Sequence, residues 1–261
     1  MDMSFYRKII EQAWDLTNTI NFSYFGEPTL HPDFIECMSL LKNRPSNTKV
    51  HIFSNFLPMT LKHLDAIVGA NVSHLNISLD ASNSAQYEKI RGGNYCLDLD
   101  GKVWTGNRME KVEEKIKYWF ARPDHIPTRH EFTTSHYNSN DADKFVGKWK
   151  PFLSSKDTIV TKAVLSYGGV MLDEPLLTNF HCNMWDGSIY LVVTWDGKVG
   201  PCFLDIDMGL QLGNAKEASL KSILESKTYQ EVKTLSKSKN IVPCKTCRDA
   251  NNHSNDKVYS K

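Results

Sequence analysis

The sequence predicts an α/β fold: a partial parallel (β/α) barrel followed by a small cysteine-rich α+β domain built on a β-hairpin. Strand-like and helix-like segments alternate through the first two thirds of the chain, the rhythm of parallel βα units wound right-handed. That rhythm stops after Tyr167-Gly168-Gly169. Beyond it Cys182, Cys202, Cys244 and Cys247 stand in the pattern C-x19-C-x41-C-x2-C. The expected domains are therefore 1–169 (partial barrel), 170–247 (cysteine-rich domain) and 248–261 (a polar tail that frays).

Taken in order, Phe5, Ile9, Ile10, Ala13 and Trp14 recur at helical spacing, so an amphipathic helix opens the chain over 4–17. A strand follows over Ile20–Phe25, then a helix begun by Pro32 at a first-turn position, then a strand over Val50–Ser54. The alternation continues with a helix from Leu61, a strand over Val72–Leu79 and a helix over Ser84–Arg91. A polar loop over Gly92–Asn107 leads to a helix at Arg108–Ala121, a strand at Thr128–Thr134, a helix at Asp141–Trp149 and a strand at Thr158–Ser166. In the last third, 189–195 and 198–203 read as strands joined by Asp196-Gly197, the residue pair of a type I′ turn. Short helices are expected over 219–224 and 229–235.

Sites of open parallel sheets gather at the C-terminal ends of the strands. The residues there are Gly26-Glu27-Pro28 after the first strand, Ser54-Asn55 after the second, and Ser78 and Asp80 at the third. Each alone is an ordinary turn residue; in three successive strands they line one ligand pocket.

The chain has 261 residues, a formal net charge of +1 and 23% charged residues, which gives no electrostatic reason to expect nucleic acid or an anionic membrane as partner. No apolar run approaches the roughly 18 residues that span a bilayer. Six cysteines are too few for a disulfide scaffold, and Met1 to Lys8 lack the shape of a signal peptide, so a cytoplasmic protein is expected. The four clustered cysteines then read as one metal or iron–sulfur site, with Cys244-x-x-Cys247 the rigid pair. Spacing leaves iron–sulfur and structural zinc both open. His181 beside Cys182 is a candidate substitute ligand, Cys37 falls on the core face of a helix, and Cys96 in its loop reads as a thiol outside the site.

Phe25-Gly-Glu-Pro28, Asn76-Ile-Ser-Leu-Asp-Ala81 with Tyr87-Glu-Lys-Ile-Arg91, and Asp196-Gly-Lys-Val-Gly-Pro-Cys202 with Leu212-Gly-Asn214 and Cys244-x-x-Cys247 together resemble the radical S-adenosylmethionine (SAM) enzymes that carry a C-terminal SPASM or twitch domain. The resemblance covers nearly the whole chain. It implies that Gly26, Glu27 and Pro28 meet the methionine amino group of SAM, that Ser54, Ser78, Asp80 and Arg91 hold its ribose and carboxylate, and that Cys182, Cys202, Cys244 and Cys247 hold one auxiliary 4Fe-4S cluster. It implies hydrogen abstraction from a peptide, protein or small-molecule substrate, with a reductant or partner protein. The family's Cys-x3-Cys-x2-Cys loop is absent from these residues. The expectation is accordingly a barrel of the radical SAM type lacking its first strand, truncated at its N-terminus, with no catalytic residue assigned and no SAM cleavage by the chain as written. The other reading is a non-catalytic iron–sulfur or zinc protein that supports a partner.

Overall fold

The structure, a computed structural model, describes residues 1–91, 95–164, 182, 190–247 and 256–261. They fall into two compact units, one of Asn18–Val164 with Asp256–Lys261 and one of Met1–Thr17 with Leu165–Asn255.

The first unit is a six-stranded sheet flanked by helices. Its strands β1 (Thr19–Phe22), β2 (Lys49–Ser54), β3 (His74–Ser78), β4 (Thr128–Thr134) and β5 (Thr158–Ala163) lie side by side in chain order and all run parallel. Between them come α2 (Phe34–Leu41), α3 (Leu61–Gly69), α4 (Ser84–Ile90), α5 (Arg108–Ala121) and α6 (Ala142–Trp149). The helix expected from Pro32 starts instead at Phe34, after a 3-10 turn at Pro28–Leu30 whose first position Pro28 occupies. Residues 248–261, expected to fray, include β9 (Lys257–Tyr259), which pairs antiparallel with β5 as Ile159↔Tyr259, Val160↔Val258 and Thr161↔Lys257. The physical reason is that β5 would otherwise present an open row of amides and carbonyls, and β9 covers its stretch from Ile159 to Thr161.

The helices pack on one face of this sheet. Phe22 of β1 meets Phe34 of α2, Thr128 of β4 accepts a hydrogen bond from Trp119 Nε1 of α5 at 2.9 Å, and His130 is enclosed by Phe120, Phe145 and Trp149. Because strand side chains alternate, the residues between these point to the opposite face. The register sets Phe53, Asn76 and Arg129 in one row there, Ser78 and Glu131 in the next, and Thr133 and Lys162 in the one beyond. Parallel sheets are usually apolar on both faces. This inner face is polar.

The second unit is small. Its strands β6 (Val192–Val193), β7 (Lys198–Gly200) and β8 (Gly213–Asn214) form an antiparallel sheet beside α7 (Leu220–Leu224) and α8 (Lys227–Lys237). The opening helix α1 (Met3–Trp14), which the sequence placed with the barrel segment, packs into this unit: Phe5 and Ile9 share a core with Val199, Leu210, Leu212, Ala215, Leu220, Ile223, Tyr229 and Val232. Lys8 Nζ donates to the carbonyl of Ala215 at 3.1 Å, and Gln12 Oε1 accepts the amide of Leu220 at the start of α7 at 2.8 Å. The hairpin at Asp196-Gly197 is present, but Asp196 keeps a negative φ and only Gly197 is left-handed, at +98°. The turn therefore closes from the Thr194 carbonyl to the Gly197 amide at 3.1 Å, with Gly197 as a bulge, instead of the type I′ form. A side chain at Gly197 would stand 2.4 Å from Asn214 Oδ1.

Candidate functional site

At the C-terminal edge of the sheet two carboxylates act as brackets. Glu27 Oε1 accepts from the Thr29 amide at 3.2 Å, the Thr29 hydroxyl at 2.6 Å and the Ser54 hydroxyl at 2.9 Å, and Oε2 accepts from the Asn55 amide at 2.7 Å. The end of β1 is thereby tied to the end of β2. Ser54 Oγ in turn accepts the amide of Phe56, a buried residue held at φ 62°. Asp80 is the second bracket, just past β3 at φ 56°. Its Oδ1 accepts the Thr133 amide at 2.7 Å, its Oδ2 pairs with the Arg91 guanidinium, and its carbonyl accepts from Asn138 Nδ2 at 2.8 Å. Two non-glycine residues in left-handed conformations at adjacent strand ends are backbone strain of the kind held at ligand sites.

All of the sequence-derived SAM-side residues lie in this sheet unit, at or just beyond the C-terminal edge. Glu27, Ser54 and Asp80 spend their side-chain oxygens on the brackets, and Arg91 meets Asp80 through Nη2 while its buried Nε makes no hydrogen bond. Gly26, at φ +113°, has nothing within 4 Å of where a Cβ would stand, so its backbone is open to close approach. Pro28 starts the 3-10 turn, and Ser78 stands on the inner face in register with Glu131.

The inner face adds residues that sequence reasoning missed. Glu131 is only 3% exposed; Lys162 Nζ donates to its Oε2 at 2.6 Å, and Arg129 Nε lies 2.9 Å from its Oε1 but off the hydrogen-bonding axis. A signal existed, since alternation within Thr128–Thr134 puts Arg129 and Glu131 on one face. Lys115 of α5 is also buried and donates to the carbonyls of Leu57 at 2.8 Å, Met59 at 3.3 Å and Leu97 at 2.7 Å, anchoring the loop after β2. Burial pulls its ammonium down to about 8. Cys37 and Cys96 are both buried, and burial raises both thiols, that of Cys37 to about 11.

In the second unit Cys202 lies within electrostatic range of the other three predicted cysteines. Burial raises Cys202 to about 12, and Cys247, Cys244 and Cys182 each add to the cost of ionising it. Cys202 and Cys244 both pack against the unit's core, and the Leu204 amide donates to Cys202 Sγ at 3.4 Å. Yet no three of the His, Cys, Asp or Glu side chains among the described residues are arranged to hold a single metal ion. An all-thiolate set of this kind fits an iron–sulfur cluster, and on ligand type it fits zinc equally well. His181 lies outside the described residues.

Residues 2–118 match the radical SAM superfamily and residues 182–248 match the SPASM iron-sulfur cluster-binding domain. The chain belongs to the radical SAM/SPASM family. The S-adenosyl-L-methionine-dependent 2-deoxy-scyllo-inosamine dehydrogenase of Niallia circulans is 21% identical to this radical SAM/SPASM protein over 97% of the chain and 81% of its own length. Among solved structures, BtrN in complex with AdoMet and 2-DOIA superposes with a TM-score of 0.62 at 16% identity, covering 95% of this chain and 80% of BtrN. Streptococcus suis SuiB bound to the precursor peptide SuiA gives 0.62 at 13% identity, over 94% of this chain and 63% of SuiB. These likenesses establish the fold. No helix among the described residues is long and apolar enough to cross a membrane.

Proposed function

We propose that this protein is an iron–sulfur oxidoreductase of the radical SAM/SPASM type acting on a small, polar, hydroxyl-bearing molecule. The observation that carries the substrate class is the inner face of the sheet. Asn76, Ser78, Arg129, Glu131, Thr133 and Lys162 present donors and acceptors where a site for an apolar group would present hydrocarbon. The relative named for a dehydrogenase of an aminated cyclitol supports this reading, and BtrN holds the small molecule 2-DOIA.

In this reading SAM lies along the C-terminal edge, with its ammonium against the open backbone of Gly26 to Pro28 and Ser78 beside it. Glu27, Ser54, Asp80 and Arg91 hold the strand ends that shape the pocket. Cys182, Cys202, Cys244 and Cys247 hold one 4Fe-4S cluster, which when bound supplies a one-electron redox centre. Glu131, flanked by two cations, orients a substrate hydroxyl by accepting its proton in a hydrogen bond. The division at 169/170 separates the SAM-side and cluster-side sequences, and the protein works in a reducing cytoplasm, which keeps the tetrad's thiols available to the cluster.

A second reading has its own observation. The only cysteines outside the tetrad, Cys37 and Cys96, are buried on separate elements, so these residues contain no second thiolate set. The chain then binds SAM and a cluster but needs thiolates from elsewhere to cleave SAM. One experiment decides between them. The chain is reconstituted anaerobically with iron and sulfide, its metal is counted, and 5′-deoxyadenosine is measured after SAM and dithionite are added. Four irons and four sulfides per chain, lost in Cys202→Ser, support the cluster assignment; zinc without iron sinks it. Deoxyadenosine from this chain alone refutes the second reading, and its absence supports it.

A further inference from the structure

We infer that Lys115 is a positioning residue of the SAM-side site, its ammonium holding the loop after β2 in the shape that brings the Asn55 amide to Glu27. The inference rests on the reading that SAM lies along the C-terminal edge of the sheet, and it adds a residue from a helix that no motif contains.

Residues 55–60 run from β2 to α3 as irregular backbone, so their buried carbonyls find no ladder or helix to join. Lys115 supplies the donors. It stands on α5 with 0% exposure, and its Nζ donates to the carbonyls of Leu57 at 2.8 Å, Met59 at 3.3 Å and Leu97 at 2.7 Å. The Leu97 amide donates to the Leu57 carbonyl as well, at 3.0 Å, so the two loops are closed on one another around the ammonium. An ammonium has three N–H groups, and here each meets a carbonyl.

From that point hydrogen bonds run without a break to the site. The Leu57 amide donates to Asn55 Oδ1 at 2.9 Å, and the Asn55 amide to Glu27 Oε2 at 2.7 Å. Between them Phe56, fully buried at φ 62°, gives its amide to Ser54 Oγ at 3.0 Å, and the Ser54 hydroxyl donates to Glu27 Oε1 at 2.9 Å. A phenylalanine rarely adopts left-handed backbone, so contacts on both sides of it have to fix that conformation. Glu27 is one side and Lys115 is the other. Glu27 lies between Gly26 and Pro28, the backbone assigned above to the SAM ammonium, so a displaced loop displaces that backbone.

The same geometry ties the effect to protonation. A neutral amine keeps two N–H groups and a lone pair, and one of the three carbonyls then faces the lone pair. Burial brings the Lys115 ammonium down to about 8; Lys111 of the same helix adds to that shift, Cys96, Asp98 and Glu27 oppose it, and His63 of α3 also feels the charge.

The test is the dissociation constant of SAM, measured by calorimetry without reductant on the reconstituted chain as wild type, Lys115→Met and Lys115→Arg. At pH 7 the methionine variant is expected to bind SAM about tenfold more weakly than wild type, and at pH 9 only about twofold, as the share of wild type with the loop held falls. Groups that titrate in SAM itself cancel in this ratio, and a residue that only filled space would leave it constant with pH. The arginine variant, which stays charged, should bind more tightly than wild type at pH 9. A ratio near one at pH 7, or one that does not change with pH, overturns the inference and leaves the SAM reading standing, whereas wild type that binds no SAM at either pH overturns both. Should neither variant fold, hydrogen exchange of wild type decides. Protection of the Asn55, Phe56 and Leu57 amides, corrected for the intrinsic rate, should fall from pH 7 to pH 9 while that of Leu75 and Ile77 in β3 holds; constant protection overturns the inference.

Discussion

In the sheet unit, the carboxylates at the strand ends already meet donors from the protein: Glu27 accepts four hydrogen bonds, and Asp157 accepts from the Thr128 and Ser154 amides and the Ser154 hydroxyl. In the cysteine unit, the polar groups that matter are thiols: burial and the neighbouring cysteines raise Cys202, and burial with Cys182 raises Cys244, so both cost more to ionise than a free thiol. The sheet unit can complete its hydrogen bonding as a folded polypeptide. The cysteine unit has strands of two or three residues and one small core, and structural thiolate sites of this kind contribute folding energy through the metal they bind.

The largest expected effect breaks the two apart. Removing iron from the reconstituted protein with a chelator should raise amide exchange throughout α7, α8 and β6 to β8 by orders of magnitude, while β2 to β4 stay protected; hydrogen exchange read by mass spectrometry checks this, and equal loosening in both units would contradict it. Next, Phe5→Ala should cost about 3–5 kcal/mol, the usual loss for a buried phenylalanine. The loss should appear in the cysteine unit, although position 5 stands at the opposite end of the sequence from the tetrad. Denaturant unfolding of the holoprotein followed by cluster absorbance measures it.

Glu27→Ala should cost the sheet unit about 2–3 kcal/mol, since the buried Ser54 hydroxyl and the half-buried Asn55 amide lose a charged acceptor. Glu27→Gln, which keeps acceptor oxygen, should recover part of that, as thermal unfolding by circular dichroism would show. The smallest effect is a pH slope. Burial lowers His130 to about 3, from 6.5 in an unfolded chain, so the unfolded state binds a proton that the folded state refuses. The stability from this group is complete above pH 6.5 and falls as pH drops toward 3, by at most about 1.4 kcal/mol per pH unit. His130→Phe should flatten this part of the urea-midpoint curve between pH 5 and 6.5, and an unchanged slope would assign it to other groups, such as His51 and His74, which burial also lowers.

The two units also differ in how far the sequence discloses them. Arg108–Ala121 and Thr128–Thr134 have in the structure the bounds that periodicity predicts, because a long helix and a buried strand each repeat one pattern over many residues. The Cys-x-x-Cys pair and the Gly26-Glu27-Pro28 turn were legible as chemistry. The use of Glu27 was not: its partners Ser54 and Asn55 are brought to it by strand pairing, a long-range event that local pattern does not encode. Lys115 was hidden for another reason. It lies three residues after Val112 and four before Trp119, on the buried face, where a charge is tolerated only because three carbonyls converge on it. The placement of α1 with the cysteine unit was likewise invisible, since an amphipathic helix shows that it has an apolar face and not which core that face joins.

The pairing of β5 with β9 sets an order of events during synthesis. The whole cysteine segment lies between these two strands in the sequence. The five parallel strands can therefore emerge from the ribosome and pair in order, while the outer edge of β5 stays bare until residues 257–259 are made. Joining ends so far apart adds contacts of high sequence separation, which form slowly. A nascent chain paused within the cysteine segment thus displays Thr158 to Ala163 as an open template, and this is the interval in which a chaperone, or a second nascent chain, would find it.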